Sequence, residues 1–245
     1  MVDILKVQKQ GFVSVLELNR PDSRNALSHE LVEAINNAFQ EFDESDQRVA
    51  VLCGAGDHFS MGSDPALPVT ELWRCMPTIG VDTEKPIISA VHGQCRGSAF
   101  SMVAFTDLTI CSEDAEFCYP EGIHGATGGL VASLACRIPH RYAMEIMLMG
   151  RVVSGRRAFE MGLANAVVPN GRQIETAVEW AETIATRAPL VMSLLKRFVG
   201  QTIPKGPSEI QASTIKELTA VRSSADSSEG KLAMAEGRSP VFSGH

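Results

Sequence analysis

The segment PIISAVHGQCRGSAFSMVAFTD, residues 86–107, changes character twice within 22 residues. Residues 87–91 are an unbroken apolar and small run, the pattern of a strand covered on both faces. Gly93 and Gly97 interrupt it and demand a turn. Residues 98–105 then read as a helix apolar on nearly every side. The first N–H groups of such a helix have no partner inside it. They bind anions, and also oxygens that become anionic during a reaction. The same turn serves where glycine is needed for geometry alone, so the neighbouring segments must decide between the two uses.

Before this segment, residues 4–7 and 12–18 read as a hairpin around Gln10-Gly11. Ser28 is a good N-cap for a helix carrying Leu31, Ile35, Phe39 and Phe42 at helical spacing, fading in the acidic run 43–46. Residues 49–53 are a strand leading into the glycine-rich loop GAGDHFSMGSD. After it, residues 108–111 and 116–118 are two short strands. Strand, strand, helix thus recurs about three times, the pattern of a spiral with sheets on its sides and helices outside. From Gly128 onward the chain reads as helical: 130–136, 141–149 closed by Gly150, and 155–161 with Ser154 as N-cap. Helices over 173–186 and 190–199, the latter closed by Gly200, come next, then 209–223 and 229–235 beyond Pro204 and Pro207.

Composition narrows the classes. The 245 residues suffice for one domain with a sizeable core. A formal net charge of −7 argues against nucleic acid as the main partner, since phosphate binding needs basic surface. No run approaches the roughly 18 apolar residues of a membrane span, and MVDILKVQKQ lacks the apolar core of a secretory leader. The six cysteines form no C-x-x-C pair and read as reduced thiols of a cytoplasmic protein without a metal site.

Three further segments carry candidate chemistry: HFSMGSD (58–64), HGQCRGSAF (92–100) and FCYPEGIHG (117–125). Together with NRPDSRNALS, KPIISAVHG, FTDLTICSEDAEFCYPE, MEIMLMGRVVSGRRAFEMGLANAVVP and the terminal EGRSPVF, their order resembles the crotonase superfamily, the enoyl-CoA hydratase/isomerase group, over nearly the whole chain. That resemblance implies an α/β crotonase spiral, shared with Clp-type serine proteases, of strand–strand–helix units with a C-terminal helical appendage. It implies a core over residues 1–190 and a helical region, 191–245, for oligomerisation and pocket closure. It further implies a homotrimer or dimer of trimers, an acyl-CoA thioester as substrate, and no separate cofactor, coenzyme A being part of the substrate.

By position, the family's two oxyanion-hole donors fall on the N–H groups of Ser63 and Ser98. Two fixed donors stabilise a thioester enolate more than the neutral carbonyl. Of the two glutamates usual in hydratases, Glu121 in YPEG matches one, whereas Ser101 stands where the other is expected. A single carboxylate favours moving a double bond over adding water, which two carboxylates hold and activate more readily. His124 reads as an accessory acid–base group or a packed loop histidine. Ser98 with His124 also suggests an acyl-CoA hydrolase with a serine nucleophile. A non-catalytic binding subunit of the same fold is the third reading. Arg24, Asp64, Gly97 and Lys196 fall where the family meets CoA, Arg24 and Lys196 as phosphate partners, with Asp64 and Asp107 expected to satisfy local N–H groups. Residues 65–85 are shorter than usual, so the acyl end is expected to be open or to be closed by Trp73 and Met76.

Overall fold

The computed structural model describes residues 3–245, the Val69 side chain excepted. β1 (Leu5–Gln10) and β2 (Val13–Leu18) form the expected hairpin. The polar turn after it leads to α1 (His29–Glu44), whose N-cap Ser28 accepts the Leu31 N–H through its side chain. β3 (Val49–Gly54), β4 (Ile87–Val91), β5 (Gln94–Arg96), α2 (Ser98–Ala104), β6 (Leu108–Ser112), β7 (Glu116–Cys118) and the one-turn α3 (Glu121–His124) follow. The remainder is α4 (His140–Met149), β8 (Val153–Ser154), α5 (Gly155–Glu160), β9 (Ala166–Val168), α6 (Gln173–Ala185), α7 (Pro189–Thr202), α8 (Pro207–Arg222) and α9 (Ala225–Glu236).

The strands build two sheets. The larger runs β1-β2-β3-β4-β6-β9, parallel from β2 onward, and the smaller runs β5-β7-β8. Both faces of the larger sheet are covered, which is why VAVLC carries no polar residue. Ala50 and Leu52 face the core that holds α1 and α2, while Val49, Val51 and Cys53 face α6 through Ala177, Ala181 and Ala185. Val49, Ala50, Val51 and Leu52 are fully buried. α1 contributes Leu31, Val32, Ile35, Phe39 and Phe42 from one stripe.

The structure departs from the sequence expectations in several places. The turn between β4 and α2 contains β5, three residues long, and residues 166–168 add a sixth strand to the larger sheet. Residues 130–136 coil as a 3-10 helix rather than an α-helix. α7 passes through Gly200 and ends at Thr202, so that glycine does not close it. α8 and α9 each begin earlier than their apolar pattern suggests, at Pro207 and Ala225.

The short 65–85 segment contains a 3-10 turn, Val69–Cys75. Trp73 and Met76 are buried in the main core with Leu72 and Cys75. The Asn36 amide of α1 donates to the Arg74 carbonyl at 2.8 Å, and Lys216 of α8 reaches the Ile79 carbonyl at 3.0 Å. All six cysteines are free, and five are buried. Burial pushes the thiols of Cys53, Cys75 and Cys111 up to about 12. Among the described residues, no helix is long and apolar enough to cross a membrane.

Candidate active site

The site is built where three loops converge at the start of α2. Residues 55–63 are lashed along β5. Phe59 N–H donates to His92 O at 2.9 Å, Ser60 N–H to Gln94 O at 3.1 Å, and Arg96 N–H to Ser60 O at 3.0 Å. From the other side, Leu27 N–H donates to Gly62 O and Asp64 N–H to Leu27 O, which brackets Ser63. In extended backbone, successive N–H groups point to opposite sides. The Ser63 N–H therefore faces away from Leu27, and it has no partner among the described residues. Gly62, at φ +91°, lies directly against the other loop. A side chain there would stand 2.7 Å from the Arg96 carbonyl and 3.4 Å from the Ser98 nitrogen.

The second loop turns at Gly97, whose φ of +55° and ψ of −120° suit glycine alone. Its N–H donates to Cys118 O at 2.9 Å, extending the β5–β7 pairing by one residue. Ser98 opens α2, is 8% exposed, and its N–H likewise has no partner among the described residues. The same Gly97–Cys118 tie draws in the third loop. Three residues past Cys118, the Glu121 carboxylate sits against Gly97, with Oε1 3.2 Å from where a Gly97 side chain would begin.

Glu121 is set apart by its electrostatics. Burial raises its carboxyl pKa to about 7, against a smaller lowering by its own backbone N–H. Its Oε2 is buried without a hydrogen-bond partner. A group poised near neutrality both takes and returns a proton with little loss in either direction. The nearby Tyr119 ring packs against Phe100, ring centres 6.1 Å apart, and its hydroxyl is anchored on Thr127 at 2.8 Å.

The remaining candidates divide. Ser101 is buried, and its hydroxyl turns back to the Gly97 carbonyl at 3.4 Å, as a helix serine commonly does. His124 lies exposed at the end of α3, and the Ser98 hydroxyl meets Ser63 rather than any histidine. The Ser98/His124 hydrolase arrangement is therefore not assembled. Arg24 sits beside the Ser63 loop: its carbonyl accepts the Met61 N–H, and its exposed side chain has no partner among the described residues. The Asp64 carboxylate accepts the Ala66 N–H at 3.1 Å and faces Arg20 at 3.6 Å, the local role expected of it.

Lys196 is not brought to the site within one chain. It reaches Asp107 at 2.8 Å and the Lys85 carbonyl at 2.7 Å, at the far end of α2. It lines a cavity of about 520 Å³ there, with Phe105, Leu134 and Arg137.

Asn25 and Ser60 are positioning residues that the sequence reading did not single out. Buried Asn25, at φ +54°, donates to Ala55 O and His58 O at 2.8 Å and accepts the Arg20 N–H. Ser60 bonds Asn25 O and receives the Gly62 N–H. A polar Asn between a turn and an apolar helix start was the available signal, but nothing in the sequence showed which loop it would hold.

Comparisons with known proteins agree with this geometry. The family model described as enoyl-CoA hydratase/isomerase matches residues 8–245. The carnitinyl-CoA dehydratase of Proteus mirabilis (strain HI4320) is 31% identical over the full length of both chains, and that of Salmonella typhi 30%. Among solved structures, carnitinyl-CoA hydratase from Mycobacterium avium superposes with a TM-score of 0.76 at 30% identity, covering all of both chains. Enoyl-CoA hydratase from Mycobacterium tuberculosis H37Rv does so with 0.75 at 28% identity, covering 99% of each. The match to that family model and the full-length relatives, together with the three converging loops and the half-buried Glu121, place the chain in the enoyl-CoA hydratase/isomerase family, the crotonase superfamily.

Proposed function

We propose that this enzyme holds the carbonyl oxygen of an acyl-CoA thioester between the N–H groups of Ser63 and Ser98, while Glu121 moves a proton on the adjacent carbons. One observation carries the reading: the Glu121 carboxylate, set against Gly97 beside the start of α2, is half-buried, lacks a cationic partner among the described residues and is tuned to about 7. With a 3-enoyl-CoA, ionised Glu121 takes the proton from C2. The C3–C4 double bond shifts toward C2, and negative charge gathers on the thioester oxygen, where two fixed donors stabilise it. Protonated Glu121 then delivers the same proton to C4, leaving the 2-enoyl-CoA and a regenerated carboxylate. Ser101, its hydroxyl turned to Gly97, stands where a hydratase's second glutamate is expected, which favours isomerisation.

The full-length relatives named carnitinyl-CoA dehydratase favour a second reading, loss or addition of water. There Glu121 would take the C2 proton and pass it to a departing C3 hydroxyl. Exposed Arg24 is the phosphate partner on the CoA side, and the setting is cytoplasmic, in keeping with the free thiols. The family's trimer is supported by exposed Leu190, Leu194 and Phe198, which recur every fourth residue on one face of α7.

The test is a panel of 2- and 3-enoyl-CoA esters followed by mass and by absorbance of the conjugated thioester. Isomerisation leaves mass unchanged and hydration adds one water. Glu121→Gln is expected to lower kcat by about 10³-fold and to keep CoA-ester binding. Turnover by that variant at the parental rate would remove Glu121 from the mechanism.

A further inference from the structure

The residues that present the two amides also carry hydroxyls, and the hydroxyls meet. Ser63 Oγ and Ser98 Oγ are 2.8 Å apart, bridging two loops 35 residues apart in sequence. Neither has another hydrogen-bond partner among the described residues. A hydroxyl carries one proton and two lone pairs. The Ser63–Ser98 bond uses one of the two protons, whichever residue donates, and leaves the other on the accepting hydroxyl. A hydroxyl that accepts a hydrogen bond is itself polarised into a better donor. Ser63 is exposed and Ser98 closes the deeper side, so the pair borders open space beside the two unpaired amides.

We propose that Ser63 and Ser98 form a hydroxyl pair that adds a third donor to the oxyanion site, beyond the two backbone N–H groups. This rests on the oxyanion reading of the site given above. The free O–H donates to the thioester oxygen as it gains charge, and the Ser–Ser bond holds both rotamers ready for it. Preorganised donors of this kind act on the developing charge more than on the ground state. Bulk would have the opposite sign: hydroxyls that merely crowd the carbonyl would slow the reaction, and their removal would speed it.

The experiment compares Ser63→Ala, Ser98→Ala and the double variant, each of which keeps its backbone amide, after thermal melting has confirmed that they fold. Two readouts are taken. The first is kcat and KM on the best enoyl-CoA of the panel. Each single variant is expected to lose about ten- to a hundred-fold in kcat with KM changed less than about three-fold. The double variant should fall little below the worse single one, because the pair acts as a unit. The second readout needs no turnover: the absorbance of a 2,4-dienoyl-CoA bound to the Glu121→Gln enzyme. Polarisation of the thioester carbonyl moves that band to longer wavelength, and adding either serine substitution should reduce the displacement. An undiminished displacement, or a kcat unchanged or raised by alanine, overturns the hydroxyl pair and leaves the amides in place. A dienoyl ester that binds with no displacement, with both serines intact, overturns the oxyanion reading and the pair with it.

Discussion

The two ends of α2 are one short helix apart, about 10 Å, and their polar groups are treated in opposite ways. At the C-terminal end Asp107, Thr106 and Arg137 are all paired. Asp107 accepts the Ile87 N–H at 2.7 Å and Lys196 at 2.8 Å. Thr106 bonds Ser89 and the Val103 carbonyl, and Arg137 lies over the Phe105 ring while bonding Ser133. At the N-terminal end the Ser63 and Ser98 N–H groups and Glu121 Oε2 have no partners among the described residues. A folded chain leaves few buried polar groups unmet, because each costs free energy. Under the proposed function, the unmet groups at the N-terminal end are those a bound thioester would complete, and the satisfied end is scaffold.

Changing pH bears hardest on this contrast. Burial lifts Glu121 above its ordinary range, so its ionised form grows in as pH rises through about 7. At about pH 5, kcat/KM should be about a hundred-fold below its plateau, which lies above about pH 8. A profile flat across that range would deny Glu121 the role of base. The stability effect has the opposite sign. A raised carboxyl favours the folded state fully below its unfolded pKa, and that contribution is lost as pH rises to about 7. Glu121→Gln should therefore stabilise the fold at about pH 8, by on the order of 1 kcal/mol once the half-exposure of the group is discounted. Denaturant midpoints of the two proteins, compared at pH 5 and 8, would reveal it.

Asp107→Ala tests the satisfied end. It strands the N–H of Ile87, which is 1% exposed, and should lower stability by about 1–3 kcal/mol in urea unfolding. Activity per folded molecule should stay close to parental. A large loss of kcat without loss of stability would erase the distinction between the two ends. The smallest effect is expected of Lys196→Ala, which removes a partly exposed ion pair worth less than about 1 kcal/mol. Equally, an unchanged KM for the CoA ester in that variant would confirm that Lys196 serves Asp107 rather than the nucleotide.

Legibility in the sequence followed the kind of force involved. The strand over 87–91, the helix from Ser98 and the Ser28-capped α1 were readable because apolar periodicity and capping are local properties. β5 and β9 were not, since three-residue strands are defined by their partners, Glu116–Cys118 and the edge of β6, and not by their own pattern. Gly200 reads as a terminator from its propensity, yet α7 runs through it; tertiary context outweighs a propensity of about 1 kcal/mol. Motif position pointed to Ser63, Ser98, Glu121 and Lys196; the first three lie together around the start of α2, whereas the Lys196 side chain bonds Asp107 and the Lys85 carbonyl at the other end of that helix.

From its residues alone, this protein was committed to alternating strands and helices, a glycine turn into an apolar helix, and a carboxylate, Glu121, just after the short strand 116–118. Those follow from side-chain chemistry and near-neighbour geometry. The convergence of three loops was decided only when the chain closed on itself. It depended on long-range backbone bonds, Ser60 to β5, Leu27 to Gly62 and Gly97 to Cys118. So did the burial that tunes Glu121 and the meeting of two serine hydroxyls. Desolvation and hydrogen-bond pairing are properties of what surrounds a group, and for these groups the surroundings come from residues tens of positions away.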